Sequence, residues 1–153
     1  MADPSNSIRL AQGEDAPAIA ALVERAYTPW VVVVEKRPRP MDDDFGKRCA
    51  AGHAYVLETN GELLGAAIIE SMPGHLFLHN VVVEPACHSR GIGRQLMQFV
   101  EEEAKRRELP EVQLTTLEGM VRNVAIYQRL GYVISSRLNT GKFDRLTMVK
   151  RLG

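Results

Sequence analysis

The chain is short of several things that would point to a function at once. No stretch approaches the ~20 consecutive apolar residues that a membrane-spanning helix needs. Neither sign of charge dominates: Lys plus Arg number 19 and Asp plus Glu number 19, so the formal net charge is +0. That balance argues against a broad nucleic-acid footprint and against a polybasic membrane anchor. Cysteine is scarce. Cys49 and Cys87 are the only two, far apart and without metal-ligand spacing, which predicts free thiols in a reducing cytoplasm and no metal site. Aromatic residues make up 6% of the chain, and Trp30 is the single tryptophan. The first ten residues, MADPSNSIRL, have neither a basic nor an apolar leader segment, so no signal peptide is expected. No repeat is visible. A length of 153 residues predicts one domain over 1–153 with a sizeable core.

What is present alternates between two periodicities. SIRLAQ (Ser7 to Gln12) reads as a first strand. Glu14 and Asp15 open a helix with Pro17 in its first turn and an apolar stripe at Ile19, Leu22, Val23 and Ala26. Pro29 disfavours helical geometry at Thr28, so this helix is predicted to end near Tyr27. Residues 28–40 combine four valines with three prolines and read as an irregular loop. A second helix is predicted from about Asp42 to Ala51, capped by one of the three aspartates and ended by Gly52. HAYVLET and ELLGAAIIESM flank Asn60-Gly61, a strong hairpin signal. GHLFLHNVVVEP is the next strand. A long helix follows Gly91 and stops before Pro110. EVQLTTLE is a strand, VRNVAIYQRLGY a short helix closed by Gly131, and the last two segments a closing hairpin. The order β-α-α-β-β-β-α-β-α-β-β predicts an α/β (α+β) fold. Its central sheet is mixed and mostly antiparallel, of about seven strands, with helices on both faces. One right-handed βαβ unit joins the Val81 and Val112 strands.

The chemistry-bearing stretch is VVVEPACHSRGIGRQLM, Val81 to Met97. Two glycines with an arginine on either side stand where a helix begins. Unpaired amides, the helix dipole and the charges of Arg90 and Arg94 together make an anion site suited to phosphate. A Walker loop needs Lys-Ser/Thr after its last glycine, and Arg94-Gln95 stands there instead. A dinucleotide fingerprint needs a third glycine, and Leu96 occupies that place.

The stretch resembles the acyl-CoA site of the Gcn5-related N-acetyltransferases, whose motif is Gln/Arg-x-x-Gly-x-Gly/Ala after a strand ending in a Val-x-Pro-like sequence. Gly91 and Gly93 match the small positions, and His88 stands where Gln or Arg is usual. Downstream, NVAIYQRLGY (Asn123 to Tyr132) resembles the family's Asn-x-x-Ala-x-x-Tyr-x-x-x-Gly-Phe/Tyr pattern, with the alanine one place early at Ala125. The resemblance implies acetyl-CoA as co-substrate and an amine as acceptor. Pyrophosphate contacts fall to the loop and helix start, His88, Ser89, Arg90, Gly91, Ile92, Gly93 and Arg94. Pantetheine contacts fall to the backbone of Val81, Val82 and Val83, the arm lying like an added strand where the Val81 and Val112 strands splay. Asn123 is assigned to pantetheine or nearby backbone, or equally to capping its helix. Tyr127 is assigned to protonating the leaving thiolate, or else to packing.

The base is more open. By alternation Phe77, His79, Val81 and Val83 share one face. His79, with an ordinary pKa of ~6.5, then stands where the family often carries a base, with Glu118 and Glu70 in reserve. Asp42 to Asp44 suit either a cationic amine or a helix cap, whereas Arg37 and Arg39 suit an acidic acceptor. The leading expectation is a cytoplasmic N-acetyltransferase acting on a small-molecule or peptide amine by direct attack in a ternary complex. It binds neither nucleic acid nor membrane and pairs as a homodimer through its closing hairpin. A non-catalytic acyl-CoA-binding domain is the alternative.

Overall fold

The computed structural model describes residues 5–153. The first four residues of the leader-free reading lie outside them. Seven strands form one sheet in the order β1-β2-β3-β4-β5-β7-β6. They are β1 (Asn6–Leu10), β2 (Ala54–Thr59), β3 (Glu62–Met72), β4 (His75–Val83), β5 (Glu111–Leu117), β6 (Val133–Asn139) and β7 (Asp144–Arg151). Every neighbouring pair is antiparallel except β4 and β5. Asn60 and Gly61 both take positive φ and turn β2 into β3, as the dipeptide predicts.

Each face of the sheet buries its own core. Helix α1 (Ala16–Val34) and helix α2 (Phe45–Ala50) cover one face, where Ile19, Leu22, Val23 and Phe45 meet Val56, Ala66, Ile68 and Val82. Helix α3 (Ile92–Arg106) covers the other, setting Ile92, Leu96 and Val100 against Ala67, Ile69, Leu76 and Leu114. Helix α4 (Val121–Arg129) joins the same core through Val124 and Tyr127.

Four sequence expectations give way. Helix α1 does not stop at Tyr27 but runs through Pro29 to Val34, so residues 28–34 are helical rather than an irregular loop. An interior proline costs about 3 kcal/mol through its missing amide and ring clash. Burial opposes it: Val34 packs with Leu117 and Met120 in a third apolar cluster, with Tyr27 and Trp30 against it. The lengthened helix also revises the reading that nothing here reaches membrane-spanning length. Gly13–Val34 is long and apolar enough by composition, at a mean hydropathy of 1.2. Yet its Ile19, Leu22 and Val23 are fully buried against the sheet, and Arg25 pairs with Glu84 at 2.7 Å. Helix α2 is shorter than predicted, because residues 39–42 form a separate 3-10 turn and Asp44 is the cap, accepting from the Lys47 amide at 3.0 Å.

The fourth correction matters most. Alternation does not hold along β4. The register with β3 steps from Ile68↔Asn80 to Ile69↔Leu78, leaving His79 as an extra residue. Such a bulge reverses which face each later side chain occupies. Leu76 and Leu78 therefore pack under α3, and so do Val81 and Val83, while Val82 packs under α1. Phe77 and His79 do not share a face with Val81 and Val83. The rings of Phe77 and His79 meet edge to face, 4.6 Å apart.

Gly65 on β3 seats α3. A Cβ there would meet Leu96 Cδ1 at 2.9 Å, Ile92 Cγ2 at 3.1 Å and the Val82 carbonyl at 3.1 Å. Gly65→Val is expected to destabilise the fold by about 1–3 kcal/mol through overpacking, read as a lowered midpoint in urea denaturation.

Candidate active site

The parallel ladder of β4 and β5 is brief. It comprises Leu76↔Val112, Phe77↔Gln113 and Leu78↔Leu114, and then the strands separate. β5 continues along β7 as far as Leu117↔Arg145. Past Leu78 the edge of β4 that faces β5 is left without a strand partner. A cavity of about 390 Å³ fills the gap, with Asn80 and Val81 on one side, Thr115 and Thr116 on the other, and Asn123 and Tyr127 reaching in from α4. The turn from α1 to α2 roofs it with Pro38, Arg39 and Asp43.

Beyond the splay, β4 carries the chain through a 3-10 turn (Pro85–Cys87) to the start of α3. Gly91 is the N-cap, with φ of 79°, and no side chain caps the helix. The amides of Ile92, Gly93 and Arg94 precede the first intrahelical bond, from the Gln95 amide to the Gly91 carbonyl at 3.0 Å. A Cβ on Gly91 would meet nothing within 4 Å, and one on Gly93 only Val83 at 3.6 Å. The glycines leave the amides open from outside, which fits a pyrophosphate. His88, Ser89, Arg90 and Arg94 are exposed around them, whereas the Ile92 side chain is buried and only its backbone faces the turn. Arg90 also reaches Cys87 Sγ at 3.1 Å.

Tyr127 lines the cavity, and among the described residues no protein group hydrogen-bonds its hydroxyl. Burial pushes that hydroxyl's pKa up to about 12, so it stays protonated across the working range. Asn123 lines the cavity too. It is the third residue of α4, whose cap is Met120, so the capping role is not the one it fills.

His79 reaches the cavity through the bulge. Its Nε2 lies 2.9 Å from Glu70 Oε1, and its Nδ1 lies 3.4 Å from Arg48 Nη2. Both contacts are satisfied by the neutral tautomer that donates Nε2–H to the carboxylate and accepts at Nδ1. Burial first, and Arg48 with it, lower the His79 pKa despite the opposing pull of Glu70. The hydrogen bond from His79 holds Glu70 below the usual carboxylate range. Glu118 does not join this group. It is exposed and pairs with Arg137 on β6.

Sequence reasoning passed over Asn80. Asn80 is 5% exposed; its Oδ1 accepts from the Tyr27 hydroxyl at 2.7 Å, and its Nδ2 is buried without a partner beside the cavity. An asparagine inside the apolar run FLHNVVV was the available signal. Arg145 was missed as well, since nothing in the strand pattern FDRLTMV marks it, yet it lines the cavity from β7.

The sequence profile of the acetyltransferase (GNAT) family matches residues 17–132. The chain is 29% identical to the S-(2-succino)cysteine N-acetyltransferase of Bacillus subtilis, over 88% of each chain. The crystal structure of the ribosomal-protein alanine N-acetyltransferase of Escherichia coli superposes with a TM-score of 0.76 at 20% identity, covering 95% of this chain and 93% of that one. An acetyltransferase of Salmonella typhimurium with its cofactor acetyl-CoA gives 0.72 at 20%, covering 97% and 95%.

Tyr27→Phe is expected to leave the Asn80 amide wholly unpaired. Thermal denaturation should show a loss of about 1–3 kcal/mol, the desolvation cost of an unsatisfied buried group.

Proposed function

The chain belongs to the acetyltransferase (GNAT) family, and from that premise we propose that its cleft gathers acetyl-CoA and an amine into one ternary complex and passes the acetyl group directly between them. The observation that carries this reading is the β4–β5 splay, with open helix amides at one end and an unpartnered tyrosine hydroxyl within it. Acetyl-CoA supplies the acetyl group as a thioester.

The residues then divide the work. The amides from Gly91 to Arg94 hold the pyrophosphate, with His88, Ser89, Arg90 and Arg94 around it. The unpaired edge of β4 at Val81, Val82 and Val83 receives the pantetheine arm as a strand would, and Asn123 bonds it from α4. The acceptor enters under the α1–α2 turn. An alkylammonium has a pKa of ~10 and must lose a proton before it attacks. His79 Nδ1 takes that proton, directly or through water, after Arg48 gives way. The Glu70 carboxylate steadies the resulting imidazolium through Nε2–H, as a carboxylate orients a catalytic histidine elsewhere. The amine nitrogen bonds to the thioester carbon and releases its second proton to water, the C–S bond breaks, the Tyr127 hydroxyl protonates the departing thiolate, and the tyrosinate is reprotonated from that water. The two named relatives act on different amines, a modified cysteine and a ribosomal-protein alanine, so likeness alone leaves the acceptor open. We place the whole of 1–153 in one cytoplasmic domain. We also pair it as a homodimer along the outer strand β6, whose Val133 and Leu138 are 63% and 61% exposed. A monomer by light scattering at micromolar concentration rejects the pairing.

Acetyl-CoA at a hundredfold excess over Kd is expected to stabilise the protein by about 2.7 kcal/mol in a thermal-shift assay, with ATP and NADH doing far less. Gly91→Glu abolishes that shift, because it sets a charge against the pyrophosphate at a position of positive φ. With an amine acceptor, Tyr127→Phe lowers kcat by roughly 10² to 10⁴-fold and leaves acetyl-CoA affinity nearly unchanged. Full activity in that variant would leave Tyr127 as packing only. The acidic limb of kcat/KM has its midpoint below 6.5, following the lowered His79 pKa, and flattens in His79→Ala.

A further inference from the structure

The acids of the roof are spent inside the protein. Asp42 pairs with Arg37 at 3.0 Å, Asp43 with Arg48 at 2.9 Å, and Asp44 caps α2. Arg37 is spent too, on Asp42 and on Glu24 at 3.2 Å. Arg48, which also lines the cavity, is matched by Asp43, but two other cations of the lining are not. Arg39 comes from the 3-10 turn (Arg39–Asp42), and Arg145 from the start of β7 opposite Leu117. Among the described residues neither has a carboxylate within ion-pair distance, although most arginines of this chain that lie outside α4 and the α3 turn do. Lys36, at the same rim, is bonded only to the Thr140 hydroxyl at 3.3 Å. Asn80 Nδ2 adds an unpartnered, buried donor to the same cavity.

Building on the acetyltransferase reading, we propose that the acceptor is a small amine carrying a carboxylate, and that Arg39 and Arg145 clamp that carboxylate while the amine faces His79. Two unpaired guanidiniums at one cavity repel each other, and a bound anion relieves the repulsion. Arg145 already feels it: burial, and then the charge of Arg39, lower its pKa. A peptide N-terminus offers a neutral amide where a free amino acid offers its carboxylate, so the clamp selects against peptides. The pair also helps the chemistry. Nearby positive charge disfavours an ammonium and favours the neutral amine that attacks.

Succinate tests the clamp as a non-reacting probe, with succinamide as its uncharged match. Both are titrated by thermal shift with acetyl-CoA saturating, so the pyrophosphate site is already filled. Succinate is expected to add stability and succinamide to add none. Arg39→Ala and Arg145→Gln each raise the succinate midpoint about 10- to 100-fold, the loss of a charge-assisted hydrogen bond, and keep the wild-type acetyl-CoA midpoint. Arg145→Lys recovers part of the loss. Equal responses to the two probes, or an undiminished succinate response in both variants, overturn the clamp. Absence of any acetyl-CoA shift in the wild type instead overturns the acetyltransferase reading. Arg39→Ala removes an exposed loop side chain, so its outcome stands even if Arg145→Gln does not fold.

Discussion

The parallel ladder between β4 and β5 lasts only three residue pairs, and the site depends on its stopping there. Upstream, Leu76, Leu78, Val112 and Leu114 are buried together beneath α3 and tie the two halves of the sheet into one body. Downstream, β5 stays with β7 while β4 stays with β3, so each strand remains paired on one side and is exposed on the other. A parallel pair that diverges presents backbone donors and acceptors that must find partners. Here the opening is lined by backbone on one wall and by helix α4 on the other. The cleft is thus a product of strand pairing, and side chains refine it.

The bulge at His79 refines it further. Without the extra residue, His79 would stay in register with Phe77, Val81 and Val83, and Val81 would leave the core beneath α3. With it, Val81 and Val83 return to that core, and Asn80 turns towards Tyr27 on α1. One inserted residue therefore serves both sides of the sheet. It keeps the apolar packing continuous under α3 and brings Asn80 beside His79 on the face that α1 and α2 cover.

The sequence made visible whatever depends on local rules. The Asn60-Gly61 turn, the glycines at the start of α3, the periodicity of α3 and the strand order all follow from residue type and spacing. The resemblance carried by Gly91, Gly93 and Tyr127 agrees with the family the chain belongs to. Other features rest on distant partners. Helix α1 continues past Pro29 because Leu117 and Met120, far along the chain, receive Val34. The bulge depends on the pairing of β4 with β3, which alternation alone does not encode. Glu118 looked available as a base until Arg137, on a later strand, took it. Nothing in the residue pattern of the closing hairpin marks Arg145, and only the β5–β7 register brings it to the cavity.

The proton-handling groups of the cleft share one environment. Burial raises the pKa values of Tyr27 and Tyr127 and lowers that of His79, and in each case it favours the neutral form. A neutral imidazole is ready to accept a proton, and a neutral phenol is ready to give one. In the proposed mechanism the same desolvation suits opposite roles, with Glu70 and Arg48 the charges that touch His79. Further charge is kept at the margins: open amides and arginines at the start of α3, and unmatched cations under the roof. In the proposed complex an anionic co-substrate and a carboxylate-bearing amine bring negative charge to those margins. In that proposal each partner is drawn by its inert part, and the reacting atoms meet where burial favours the neutral forms of His79 and Tyr127.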